Sequence, residues 1–380
     1  YHDILEEEER VPPFDRIGVC QQHLQEHFAW LKKNNYHVIS VQDVLDAMKG
    51  GKPLPSNAVM LTFDDGYLSF YSRAMPLLKK YHYPATLAVV GNWLEQRTVP
   101  GGKPLMNVAQ IREVMNSGLV EIASHTHDLH QSIPANPQGN TQSAVTARSY
   151  SAEYDEYEND ETYRKRLFAE VGKSSERLFQ LIGKRPRVMV WPFGEYNALA
   201  LEAAKLAGMS ITMGLNDGVN TLADVPVMKR MMIADDPDAK RFAEIVKKQR
   251  VDQQLRVAHV DMDYIYDEDE DQTNRNLSAL LERIKASGAN TVFLQAYSDP
   301  DGDGNADQLY FPNRHLPVRR DLFNHVAWQL RTRAGVKVYA WMPILAYKAD
   351  VPLKWYVKEW RDGEAQLSRH IYTRLSPFNP

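Results

Sequence analysis

The 380 residues include a single cysteine, Cys20, which excludes an internal disulfide and any cluster of thiolate metal ligands. No histidine, asparagine or aspartate pattern accompanies it, so a small apolar filler is a better reading than a nucleophile. Also missing is any apolar run near the roughly 20 residues that span a bilayer. Clustered basic residues are absent too, and the formal net charge is −4. Both argue against nucleic acid, whose phosphates need grouped Lys and Arg. No fixed-period repeat links the two halves. What remains is a soluble, globular composition, 43% hydrophobic and 25% charged, in a chain long enough for two cores. Its first residue already lies in structured-looking sequence, so any signal peptide or lipid anchor is expected to have been cut away or never present.

The first two thirds alternate short β-branched runs with helical patterns, the signature of parallel βα units. Strands are expected at 36–40, 58–63, 85–90, 120–124, 188–191 and 211–213, with helices carrying Leu24, Phe28 and Leu31 on one face and running over 68–81. The implied fold is α/β, a barrel or strongly wound parallel sheet whose chemistry sits at the carboxyl ends of its strands. The polar stretch 131–160 lacks periodicity and reads as a flexible surface loop. A polar break at 247–254 reads as a linker. Beyond it, strands at 256–265, 291–297 and 336–341 alternate with helices at 274–286 and 322–333, a β-α-β-α-β run that reads as the truncated start of a second (β/α) barrel.

Three strand ends carry candidate chemistry. The first is Thr62-Phe63-Asp64-Asp65-Gly66-Tyr67. Adjacent carboxylates in an extended chain face opposite ways, so one can ligate while the other handles protons, and Gly66 lets the backbone turn. An ordinary Asp-Asp-Gly turn is the competing reading. The second is Ser124-His125-Thr126-His127-Asp128-Leu129-His130, three imidazoles in six residues. One aspartate and two histidines suit zinc, nickel, cobalt or iron and leave positions open for water; incidental surface histidines are the alternative. The third is Trp191-Pro192-Phe193-Gly194, which suits a wall gripping a sugar or a methyl group, or equally a core strand end.

Together these pieces, in this order, resemble the polysaccharide deacetylases, the NodB-homology or carbohydrate esterase family four, over residues 1–245. TFDDGY is close to the family's first motif, which implies Asp64 as general base and Asp65 as metal ligand. His125-Thr126 fits the second motif, with the second histidine one residue late at His130; that longer spacing resembles the deacetylases acting on poly-β-1,6-N-acetylglucosamine. The resemblance therefore implies one divalent ion on Asp65, His125 and His130, with His127 a neighbour and Tyr67, Trp191, Pro192 and Phe193 lining the substrate. The arginine that precedes the family's third motif is missing, and Arg185 or Arg187 is the substitute to look for. The last motif's acid histidine is missing from Val227-Met228-Lys229-Arg230-Met231-Met232. Tyr1-His2-Asp3-Ile4 resembles the family's first-strand YH motif.

The later part, with its AWMP strand end, resembles the start of the glycoside-hydrolase-like domain attached to exported poly-N-acetylglucosamine deacetylases. Expected domains are therefore 1–246, a linker at 247–255, and 256–380. The implied function is N-deacetylation of that biofilm exopolysaccharide in the periplasm or at the outer membrane, with an export porin as a partner. Alternatives are a carbohydrate-binding scaffold with a weak or vestigial site, a small-substrate amidohydrolase, or a deacetylase of chitin or peptidoglycan. Asp261 and Asp263, at a strand end, read as sugar-binding rather than hydrolytic, because a full carboxylate pair is not in evidence. Asp299-Pro300-Asp301-Gly302-Asp303-Gly304-Asn305 reads as a solvated acidic turn without the full calcium-loop spacing. The acidic run Glu6–Glu9 reads as a solvated helix end, and Asp267–Asp271 as a surface that attracts cationic glucosamine.

Overall fold

A computed structural model describes residues 1–9, 16–96, 102–247, 255–368 and 373–378. The chain divides into two compact units, 1–135 with 141–251, and 136–140 with 252–380. The expected linker falls almost wholly outside the described residues. So does the end of the chain at Asn379 and Pro380.

In the first unit the order is β1 (Ile4–Leu5), β2 (Val19–Cys20), α1 (Gln21–Lys33), β3 (His37–Val38), α2 (Val41–Met48), β4 (Ala58–Val59) and β5 (Thr62–Phe63). A π-helical turn at Phe70–Ala74 then leads into α3 (Met75–Tyr81), β6 (Ala85–Val89), α4 (Gly91–Gln96), α5 (Val108–Asn116) and β7 (Val120–Ser124). Two hairpins follow, β8 (Ser132–Pro134) with β9 (Thr141–Ser143) and β10 (Tyr150–Ser151) with β11 (Glu156–Tyr157). The unit closes with α6 (Asp160–Ile182), β12 (Val188–Val190), α7 (Ala198–Leu206), β13 (Ile211–Met213) and α8 (Ala239–Lys247).

Strands β5, β6, β7, β12 and β13 form one sheet in sequence order, all parallel, with β1–β2 and β3–β4 as short parallel pairs. The sheet is a curled half-barrel, the strongly wound parallel sheet of the expectation rather than a closed barrel. Both faces are buried, as a parallel sheet between helices requires. Leu87, Val89, Val120 and Ile122 join Leu24, Phe28, Leu31 and Leu78 in one core cluster, while the alternate Ala88, Ala123, Val188 and Val190 join Ile39 and Val41 in another. Helix starts follow side-chain chemistry: Ser40 with Asp43 and Asn107 with Gln110 close capping boxes, each N-cap worth about 1 kcal/mol.

Two expectations need correction. The strand foreseen at 58–63 is two short strands with different partners, β4 on β3 and β5 on β6. The stretch 131–160 is not a featureless loop. Ala144, Val145 and Ala147 are buried, the Tyr163 hydroxyl donates to the Val145 carbonyl at 2.6 Å, and Arg166 donates to the carbonyls of Ala144 and Ala147 while pairing with Glu158. Its anchors come from α6, so no local periodicity announced them.

The second unit contains β14 (Val257–Val260), α9 (Glu270–Ser287), β15 (Thr291–Gln295), the hairpin β16 (Tyr297–Ser298) with β17 (Gln308–Leu309), α10 (Phe323–Arg333) and β18 (Lys337–Trp341). β14, β15 and β18 form a parallel sheet in that order, as the β-α-β-α-β reading expects. Asp269 caps α9, with Glu270 and Asp271 in its first turn, so Asp267–Asp271 is accounted for by a helix start. At the other acidic run, Glu6 and Glu9 pair with Arg73.

Candidate active site

The five-stranded sheet sets its chemistry at the carboxyl ends, where parallel α/β folds place it. Asp64 and Asp65 follow β5 directly, His125 follows β7, and Pro192 and Phe193 lie just past β12. The backbone takes a left-handed turn at or just after each of these three strand ends. Asp65 has φ +76°, Gly66 +79° and Phe193 +57°, with Thr126 at +67° in the histidine loop. Such conformations cost non-glycine residues about 1 kcal/mol or more each and gather where function needs them.

Asp65, His125 and His130 converge. Their candidate ligand atoms all lie within 4.8 Å of one another, with Asp65 Oδ1 3.6 Å from His125 Nε2 and 3.4 Å from His130 Nε2. His125 Nδ1 lies 2.6 Å from the Val190 carbonyl; a carbonyl only accepts, so the proton sits on Nδ1 and Nε2 keeps its lone pair. Burial pushes the His125 pKa down to about 3, against the attraction of Asp64, and also lowers that of His130. Two neutral imidazoles and a carboxylate, with one tautomer fixed, fit a divalent cation of the zinc class. The His130 ring is flanked by Trp93 and Phe193, at centroid distances of 4.7 and 4.8 Å.

Asp64 is buried beside this group. Burial alone would raise its pKa, but the Arg230 guanidinium, with His125 and His2, overcomes that and holds the carboxyl well below the ordinary range. Arg230 Nη1 lies 2.8 and 3.0 Å from the two carboxylate oxygens, and Nε donates to the Gly214 carbonyl at 3.0 Å. The guessed substitutes lie elsewhere: Arg185 pairs with Glu176, and Arg187 with Glu121 and Gln42. His2 is the other group the sequence reading left without a role. Its Nε2 stands 3.8 Å from Asp64 Oδ2, and its buried Nδ1 has no hydrogen-bond partner among the described residues. Burial brings its pKa down to about 4. Both groups were visible as letters; their arrival at Asp64 depends on contacts between segments far apart in the chain.

The proposed substrate wall is only partly at the surface. Phe193 is 49% exposed, whereas Trp191 is fully buried among Leu129, Tyr163 and Met189, which removes it from any contact with a ligand. A strand-end residue with its ring turned inward is a core residue, the competing reading of this motif. Pro192 is also buried, and Tyr67 packs with Val90, Trp93 and Leu105. His127 lies against Gly91, where a Cβ would come 2.7 Å from its Nδ1.

In the second unit, Asp263 accepts from Tyr310, Arg319 and the Asp299 amide, and burial raises the Asp261 carboxyl. The Asp299–Asp303 turn has Lys348 Nζ 2.7 Å from Asp301 and 3.1 Å from Asp307, a lysine-neutralised acidic turn.

The profile described as Polysaccharide deacetylase matches residues 51–212, and that of Hypothetical glycosyl hydrolase family 13 matches 259–380. Over 374 residues the chain is 41% identical to the poly-β-1,6-N-acetyl-D-glucosamine N-deacetylase of Escherichia coli K12, covering 96% of this chain and 56% of that protein. The chain thus spans little more than half the length of that curated relative. A solved de-N-acetylase from Aggregatibacter actinomycetemcomitans is 36% identical with TM-score 0.59, covering 64% of this chain and 97% of that one. The deacetylase domain of a Bordetella bronchiseptica protein is 32% identical with TM-score 0.54, covering 61% and 94%. With nearly the whole of two solved deacetylase chains matched, and the strand-end carboxylates and histidines gathered as described, this chain belongs to the polysaccharide deacetylase family.

Proposed function

We propose that this chain removes acetyl groups from the N-acetylglucosamine units of poly-β-1,6-N-acetylglucosamine, using a divalent ion on Asp65, His125 and His130. The observation that carries the reading is the convergence of these three side chains beside a buried Asp64 bound by Arg230. A divalent ion in that group supplies Lewis acidity, toward a water and toward the acetamide carbonyl. Asp64 takes the proton of the attacking water. Arg230 keeps that carboxylate ionised and fixed, which supplies what the missing third-motif arginine would. The His2 imidazole, its Nε2 3.8 Å from Asp64 Oδ2, is placed to receive that proton and pass it to the departing amine, which is the more basic group. His2 therefore stands where the absent acid histidine of the last motif is needed. Phe193 and Trp93, on either side of His130, form the wall on which a sugar face or acetyl methyl rests.

The names of the E. coli, Aggregatibacter and Bordetella relatives support the amide chemistry, and that of the E. coli relative supports the polymer. On the same reading, residues 256–380 form a glycoside-hydrolase-like domain that contacts the same polymer, the protein works in the periplasm or at the outer membrane, and an export porin is its partner. Among the described residues no helix is long and apolar enough to cross a membrane. The deciding experiment measures acetate released from β-1,6-linked N-acetylglucosamine oligomers by chelator-stripped protein reloaded with zinc, nickel, cobalt or iron. Release that needs a metal and disappears in Asp65→Ala supports the reading. No release with any of the four, from protein that binds the oligomer, would favour a binding scaffold instead.

A further inference from the structure

The two histidines of the candidate metal group are separated by four residues, and that loop is clasped from two sides. From α4, the Gly91 and Asn92 amides donate to the carbonyls of Thr126 and His127 at 3.0 and 2.8 Å. From α6, Glu170 Oε1 accepts from both the His127 amide, at 2.8 Å, and the Asp128 amide. One helical turn further along α6, Ser174 Oγ lies 2.6 Å from Ser124 Oγ, just before His125. Glu170 and Ser174 share a helix face at i, i+4 spacing, so one rigid element grips the loop at two points. Two consecutive N–H groups converging on one anion form a compact nest, and a charged acceptor makes each bond roughly twice as strong as a neutral one. Thr126 holds its left-handed conformation inside this clasp.

We propose that Glu170 is a positioning residue for the metal group: by clasping the His127 and Asp128 amides it fixes where the His130 imidazole stands relative to His125 and Asp65. The inference rests on the metal reading above. Support of this kind behind a ligand typically changes metal affinity about 10- to 100-fold. Because both amides meet the same oxygen, glutamine at this position keeps the acceptor and loses only the charge, whereas alanine loses the clasp.

The test uses the full chain, with zinc affinity measured by competition against a chromophoric chelator and the visible spectrum recorded with cobalt(II). Glu170→Ala is expected to bind zinc about 10- to 100-fold more weakly and to alter the cobalt bands. Glu170→Gln is expected to stay near wild type in both, and its metal-free form to unfold near the wild-type midpoint. Glu170→Ala with wild-type affinity and spectrum overturns the inference, as does Glu170→Gln no better than alanine. Should the alanine variant fail to fold, Glu170→Asp, one methylene too short to reach both amides, is read by the same criteria. A wild-type chain that binds neither metal fails differently: it removes the metal reading, and this inference with it.

Discussion

Asp64 owes its charge chiefly to Arg230, with His125 and His2 adding to it. Buried without Arg230, the carboxyl would rise toward and above its ordinary range, because low-dielectric surroundings penalise the anion. Arg230→Met is therefore expected to lower kcat by about 100-fold or more and to move the acid limb of the pH–rate profile to higher pH; an unmoved limb would mean that Arg230 does not hold the base. His27 offers a second test, of stability. Its Nε2 lies 2.7 Å from the Pro237 carbonyl and its ring stacks on Phe242, and burial, partly offset by that carbonyl, lowers its pKa from 6.5 to about 4. Below about pH 6.5 the unfolded chain takes up a proton that the folded chain refuses. His27's contribution is thus whole above that pH and lost progressively toward pH 4, amounting to about 3 kcal/mol. Urea unfolding of wild type and His27→Gln across pH 4 to 7 should show the variant's smaller dependence on pH, and parallel curves would refute it. The strand-end placement of Asp64, Asp65 and His125, and the grouping of Asp65 with His125 and His130, were legible in the sequence. Arg230 was not, because the segment holding it was read for a histidine, and the contact joins positions 166 residues apart.

At the level of elements, the turns that end the strands carry constraints a pattern cannot display. Gly194 has φ +70°, and a Cβ there would lie 2.6 Å from Leu215 Cβ and 2.8 Å from its backbone nitrogen. Both the conformation and the space exclude a side chain, so Gly194→Ala should destabilise the protein by about 3 kcal/mol, seen as a lower urea midpoint with an unchanged slope. An unaltered midpoint would show that the turn relaxes freely. The helices were legible because amphipathic spacing and caps are local: Leu24, Phe28 and Leu31 in α1, the Ser40–Asp43 box of α2. The split of 58–63 was hidden, since an apolar run does not say which neighbour each half pairs with. So were the hairpins after β7, held by Tyr163 and Arg166 from the following helix, and the buried aspect of Trp191, for which a strand end facing in and one facing out read alike.

For the whole molecule, the question is which part of the chain the site needs. His2, Asp64, Asp65, His125, His130, Glu170 and Arg230 all belong to the first unit. That unit has core clusters of its own, running from Tyr1 to Phe242, and the second unit's core runs from Val260 to Val336. A core of that size suits an independent domain, and stability then belongs to each unit separately. A chain ending at Lys247 is therefore expected to fold cooperatively, to bind close to one equivalent of zinc, and to do so with affinity within about threefold of the full chain, since no ligand or ligand support is removed. Elemental analysis after dialysis, with chelator competition on both proteins, checks this. A truncated chain that folds but binds zinc ten times more weakly would show that the removed residues 248–380 contribute to the metal group, and the first unit could no longer be treated as the seat of the chemistry.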